Sequence, residues 1–152
     1  MTTVTESLTR EHLGYEMIPH RPTQTARQEA DVLGISPEDV AKTVVMLTRS
    51  GFVRAVVPGS KKVDVEAVRK LLADPSASIA PEAELVLAYP MFELGAVPPF
   101  GGPGGDRILI DSSLLDRESL VFEAGSQRQS VRMRSADLLT LCAAEIAPIA
   151  TD

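Results

Sequence analysis

The chain has 152 residues, a formal net charge of −6, 44% hydrophobic and 4% aromatic residues, and no tryptophan. That length suits one domain spanning residues 1–152 that buries its core without disulfides or metals, while the acidic balance and scarce aromatics argue against a uniformly basic, base-stacking nucleic-acid binder. A single cysteine excludes an internal disulfide and a CxxC motif, and no apolar stretch reaches the ~18 residues of a membrane span.

The first six residues lack the basic start and apolar stretch of a signal peptide, so a cytoplasmic location is expected. Residues 5–13 read as a short helix with His12 on its polar side. Residues 15–18 read as a strand stopped by Pro19, which leaves His20 where a side chain can reach a cleft. Residues 23–33 form a polar helix closed by Gly34. Ser36-Pro37-Glu38-Asp39 has the chemistry of a helix start: a hydroxyl cap, proline at the first position and acids in the first turn. Two β-branched runs, 42–48 and 52–57, flank Ser50-Gly51 and read as a hairpin ended by Pro58-Gly59-Ser60. Asp64 caps a helix whose apolar face is Val65, Val68, Leu71 and Leu72. Residues 81–88 make another short helix, and a glycine-proline loop runs over 95–105. Residues 107–110, 119–123 and 130–133 read as strands. Ser135 caps a last helix from Ala136 to about Ile146, in which Cys142 is spaced as a packed thiol. Without a strict βαβ alternation, the pattern predicts an α/β or α+β fold around a mixed, largely antiparallel sheet.

Two segments carry most of the chemical information. Lys42 heads an otherwise apolar run, Thr43-Val44-Val45-Met46. A half-buried ammonium costs free energy unless an anion or carbonyl meets it, although a lysine after a helix end also suits the helix dipole. Gly95-Ala96-Val97-Pro98-Pro99-Phe100-Gly101 is stiff and poor in polar side chains. Such a loop either makes an ordinary rigid turn or presents backbone amides to a ligand. Gly125-Ser126 reads as a hairpin turn or as small residues beside a pocket. His12, His20 and Cys142 lack metal-ligand spacing, so no metal is expected. No P-loop, GxGxxG after a strand or GxSxG elbow is present. Arg49, Arg54, Lys61, Lys62, Arg69 and Lys70 fall in one stretch, and Arg128, Arg132 and Arg134 in another. Each stretch is either a solvated surface or a local phosphate contact.

Taken in order, these landmarks resemble the YbaK/ProX-type aminoacyl-tRNA editing domains, relatives of the editing insertion of bacterial prolyl-tRNA synthetases. The resemblance runs over residues 12–143. It rests on His20, Thr25-Ala26, Leu33-Gly34, Lys42-Thr43-Val44-Val45, Val56-Val57-Pro58-Gly59 and Val63-Asp64. It continues through Gly95 to Gly101, Ile110-Asp111, Ala124-Gly125-Ser126 and Ser135-Ala136-Asp137-Leu138-Leu139. It implies a curved, largely antiparallel sheet surrounded by helices, and a deacylase that hydrolyses the ester of a mischarged tRNA without a cofactor. It further implies that Lys42 is catalytic, that Gly95, Val97, Pro98 and Gly101 line the pocket, and that Gly125 and Ser126 border the amino-acid side with His20 near the mouth. Lys61, Lys62 and Arg69 are expected to contact phosphates of the tRNA acceptor end, and an aminoacyl-tRNA synthetase is a second expected partner. An aminoacyl ester is already activated, so positioning and charge stabilisation suffice without a covalent nucleophile. The alternatives are a silent tRNA- or synthetase-binding module of the same fold and a hydrolase of another small ester or amide. Ser60-Lys61-Lys62 lacks the acidic residue that many members carry before the basic pair. Ser126-Gln127-Arg128 lacks the histidine of some alanine-editing members, so the resemblance does not assign the amino acid.

Overall fold

Thr3 opens the first helix, α1 (Val4–Arg10), with a capping box: its hydroxyl accepts from the Glu6 amide while the Glu6 carboxylate accepts from the Thr3 amide. The computed structural model describes residues 3–102 and 106–152, so Pro103, Gly104 and Gly105 of the expected loop lie outside the described residues. After α1 come β1 (Glu16–Pro19) and α2 (Ala26–Leu33), the latter capped by the Thr25 hydroxyl and closed at Gly34. Ser36 does cap the Glu38 amide, but Pro37–Asp39 makes only a single 3-10 turn. The β-branched Val40 is fully buried and already extended, which draws the chain into a strand before a helix can propagate.

The predicted hairpin forms β2 (Ala41–Thr48) and β3 (Gly51–Pro58), paired from Ala41↔Pro58 to Thr48↔Gly51. Next are β4 (Lys62–Val63), α3 (Val65–Leu72) with Asp64 bonded to the Ala67 amide, β5 (Ser78–Ile79) and α4 (Glu82–Ala88). The remaining elements are β6 (Arg107–Asp111), a 3-10 turn Ser112–Asp116, β7 (Ser119–Ser126), β8 (Gln129–Arg134), α5 (Ser135–Cys142), β9 (Glu145–Ala147) and β10 (Ala150–Thr151).

The last helix is shorter than its composition suggests. Ala143 takes a left-handed φ of 48° and ends α5, and Glu145–Ala147 pairs with β6 instead. Ser135 also differs from its expected role: it is the first helical residue, and its hydroxyl donates to the Arg117 carbonyl at 2.6 Å.

The strands form a five-stranded sheet in the order β5-β2-β3-β6-β9 and a three-stranded sheet β1-β8-β7, with β10 and β4 as a separate pair. The β3–β6 and β6–β9 pairs are parallel and the other pairs antiparallel, the mixed and largely antiparallel arrangement predicted. β3 is buried on both faces, as a near-continuous β-branched run requires. Val56 joins a cluster with Leu8, Phe100, Ile110, Phe122 and Leu138, while Ala55 and Val57 face Met46, Val68, Leu109 and Ile149. Each such aliphatic or aromatic side chain contributes about 1.5–3 kcal/mol on burial, so these two clusters dominate the fold's stability. A parallel bridge, Val40↔Val121, ties the start of β2 to β7 and brings the two sheets together. Among the described residues, no helix is long and apolar enough to cross a membrane.

Candidate functional site

A cavity of about 550 Å³ opens where α2, the first half of β2, the turn from Gly59 to Lys62 and the loop at Gly95 and Val97 converge, with Glu123 of β7 in its wall. Thr43, Val45, Ala80, Leu85 and Val97 are also among its lining. Close packing of the turn against α2 depends on Gly59. A Cβ there would stand 3.0 Å from the Pro37 carbonyl oxygen and 3.1 Å from the Cβ atoms of Ala26 and Val40.

Lys42 lies in this cavity, half-buried, and its ammonium donates to the Lys61 carbonyl at 2.6 Å. One N–H is thereby used and two remain for a ligand. Burial, and then the charges of Arg27 and Lys62, hold its pKa below the ordinary lysine value. Arg27 braces the same turn through the Ser60 carbonyl at 3.2 Å. Lys61 lines the cavity and pairs with Asp152, and Lys62 lines it from an exposed position in β4. Arg69 lies elsewhere: it bonds the Ala77 carbonyl at 2.8 Å and Glu66 at 2.5 Å.

The glycine-proline loop divides in two. Gly95 and Val97 line the cavity. Pro98 and Gly101 instead turn their carbonyls to Arg54, which donates to them at 2.9 and 2.6 Å and to Asp106 at 3.0 Å. Arg54 is 1% exposed and lies 5.0 Å from the centroid of the Tyr89 ring. The Tyr89 hydroxyl in turn donates to Asp106, and burial followed by that carboxylate pushes the phenol up to about 12. Arg54 therefore does not belong to the solvated basic stretch. It is the buried peg on which the loop hangs. Its signal was its place in Phe52-Val53-Arg54-Ala55-Val56, a strand with no polar face to spare.

Gly125 and Ser126 shape the β7–β8 turn. Their strand register slips between Glu123 and Ser126, and Ser126 Oγ accepts from the Arg128 amide at 3.1 Å. Gly125 has φ 91°, and a Cβ there would come within 2.6 Å of the Phe92 ring. Neither residue lines the cavity. His20 sits one layer behind it. Nδ1 donates to the Arg21 carbonyl at 2.7 Å, and Nε2 is 2.8 Å from Ser130 Oγ, whose proton is directed at Glu29. Cys142 is packed, with Sγ 3.7 Å from the Pro99 carbonyl and its thiol pushed by burial up to about 12.

Two acids that the sequence reading passed over complete the cavity. Glu29 is 2% exposed and Glu123 is 8% exposed. Thr23 donates to Glu123 Oε1 at 3.2 Å, while Oε2 has no partner. Burial, then the neighbouring Glu29, push the Glu123 carboxyl up to about 8, so it is largely protonated at neutral pH. Burial also raises the Glu29 pKa, opposed by Ser130 and His20. The other buried side-chain oxygen found without a partner among the described residues is Thr43 Oγ1, in the same wall. Buried polar atoms left unpaired cost free energy, and here both belong to residues that line this cavity.

The model of the aminoacyl-tRNA editing domain family matches residues 20–141. The chain belongs to that family. Segments of two prolyl-tRNA ligases resemble this editing domain. That of Thermosipho africanus is 35% identical over 88 residues, 57% of this chain and 15% of the ligase. That of Fervidobacterium nodosum is 28% identical over 100 residues, 64% of this chain and 17% of the ligase. The editing domain thus spans about a sixth of the length of these relatives. A crystal structure of a candidate trans-editing enzyme for prolyl-tRNA synthetase superposes with a TM-score of 0.87 at 24% identity, covering 98% of this chain and 95% of the other. A second, of a hypothetical protein, superposes at 0.90 and 24% identity, covering 97% and 99%. Both share its fold.

Proposed function

We propose that the protein is a deacylase acting in trans, which hydrolyses the ester between a wrong amino acid and the 3′-terminal adenosine of a tRNA. The observation that carries this reading is Lys42: a half-buried ammonium with two free N–H donors, clamped by the Lys61 carbonyl inside a 550 Å³ cavity of an editing domain. The ammonium stabilises the charge that develops on the ester carbonyl oxygen as a water adds to the carbonyl carbon. The carbon–oxygen bond to the ribose then breaks, and the departing oxygen takes up a proton. Hydrolysis frees the amino acid and leaves an intact tRNA. Gly95 and Val97 bound the acyl end, and Arg27, Lys61 and Lys62 meet the acceptor-end phosphates. The work belongs in the cytoplasm, beside the synthetase that makes the error.

A second sieve is needed because a pocket separates small apolar side chains by only ~1–3 kcal/mol. The decisive experiment incubates the protein with a panel of mischarged tRNAs, including Ala, Ser or Cys on tRNA-Pro, and follows deacylation. At least one pair is hydrolysed, and Lys42→Ala slows that turnover by roughly 100-fold or more. Hydrolysis of no pair, or full activity of Lys42→Ala, overturns the proposal. Salt-sensitive tRNA binding without turnover identifies a binding module instead.

A further inference from the structure

The cavity has a second pole, and nothing in the hydrolytic role of Lys42 uses it. Its ionisable groups are segregated. Lys42 feels the charges of Arg27 and Lys62, whereas Glu123 feels those of Glu29 and Glu93. Glu123 is directly opposite Ser130 in the β7–β8 ladder, and Ser130 Oγ ties Glu29 to His20. Thr23 fixes Oε1 of Glu123 and leaves Oε2, more than nine-tenths buried with its residue, without a partner in the cavity wall. A carboxyl so held either donates one hydrogen bond or, once ionised, accepts from a cation. Among the described residues, no group of three or more His, Cys, Asp or Glu side chains gathers to hold a metal. The cation that fits is organic and small.

Building on the deacylase reading, we propose that Glu123, backed by Glu29, binds the free α-amine of the aminoacyl group, so that the site takes aminoacyl esters and rejects N-acylated ones such as peptidyl or formylated esters. An aminoacyl ester presents its carbonyl and its amine on adjacent carbons, with phosphates further along the nucleotide. A cavity with an ammonium at one pole and a carboxyl pair at the other matches that order of charges. On binding, a neutral amine takes the proton of the Glu123 carboxyl and leaves an ammonium–carboxylate pair. An amine that arrives protonated expels the carboxyl proton to solvent. Both routes balance without another reactant. An amide nitrogen has no basic lone pair, so an N-acyl group takes no proton, forms no ion pair with Glu123 and brings extra bulk against the buried carboxyls. The groups facing Glu123 are Thr23, Glu29 and Glu93, with His20 acting on it through Ser130 and Glu29, and Lys42 and Arg27 across the cavity.

The test uses two non-hydrolysable probes, 3′-alanylamino-3′-deoxyadenosine and its N-acetyl derivative, titrated calorimetrically into the protein at pH 7. The wild type binds the free amine at least roughly tenfold tighter than the N-acetyl probe. In Glu123→Gln, which keeps the shape and one hydrogen-bonding oxygen, that ratio falls to about twofold or less. Thr23→Val, which only frees Oε1, gives an intermediate ratio, and thermal melts confirm that both variants are folded. Equal binding of the two probes, no binding of either, or an unchanged ratio in folded Glu123→Gln overturns the inference. The same probes separate it from the deacylase reading. An amine preference in a protein that leaves every mischarged tRNA intact supports the amine site and overturns the deacylase. Equal hydrolysis of free and N-acetylated aminoacyl-tRNA does the reverse.

Discussion

Lys42 and Arg54 occupy adjacent strands of one hairpin and meet opposite fates. Arg54 spends its guanidinium on Asp106 and on the Pro98 and Gly101 carbonyls, so it is committed to the fold. Arg54→Leu removes the cation beside a half-buried carboxylate and strands two carbonyls, and is expected to cost about 3–5 kcal/mol in a urea titration. Lys42→Ala removes an ammonium that burial penalises, so its melting temperature stays within a few degrees of wild type while turnover collapses. Glu123 adds a pH dependence of stability. Its folded pKa of about 8 lies above the ordinary glutamate value of 4.5, so the native state holds the extra proton between those values. The stability that this residue contributes is complete below about pH 4.5 and is lost as pH rises through about 8. Melting temperature is therefore expected to fall by roughly 5 °C more between pH 6 and pH 9 in wild type than in Glu123→Gln. Parallel curves for the two proteins would show that Glu123 ionises normally.

At the scale of elements, the turn at Gly59 is where the fold makes the site. It stops β3, packs against α2 and Pro37, and delivers the Lys61 carbonyl to Lys42. Gly59→Ala forces the Pro37 carbonyl or α2 to give way. It is expected to cost about 1–3 kcal/mol by overpacking and to weaken turnover further by moving Lys61 off Lys42, seen as a lower kcat in single-turnover assays. Sequence made the hairpin, α2 and α3 legible because each carries its own caps, turn and period. It overextended the last helix because Glu145–Ala147 is recruited by β6, a parallel pairing to a strand more than thirty residues away. Of the residues that line the cavity it singled out Lys42, Lys61, Lys62, Gly95 and Val97, because the lone lysine, the basic pair and the stiff loop are locally odd. Glu29, Thr43 and Glu123 look ordinary in their own segments, and long-range contacts such as the Val40↔Val121 bridge, 81 residues apart in the chain, and the Ser130–Glu29 hydrogen bond make them neighbours.

At the scale of the whole molecule, a net charge of −6 must coexist with a polyanionic substrate. The fold resolves this by gathering Arg27, Lys42, Lys61 and Lys62 around one cavity, while arginines elsewhere are neutralised in pairs such as Arg107–Glu145, Arg117–Asp39 and Arg132–Glu16. Exposed pairs of that kind add little stability, but they remove competing positive patches from the surface. The attraction for tRNA is then short-ranged and local, because salt screens the basic cluster beyond about one Debye length, ~8 Å at physiological salt, and the acidic remainder adds no attraction of its own. Affinity for the single-stranded acceptor end should therefore depend on salt with a shallow slope, about +2 in log Kd against log salt for roughly three phosphate contacts. Lys62→Ala should reduce that slope by about 0.7 while sparing turnover at saturating tRNA. Lys61→Ala should do less, because its ammonium is already held by Asp152, whose carboxylate a phosphate must displace. A slope several times steeper, insensitive to both substitutions, would place the tRNA on a surface outside this cavity.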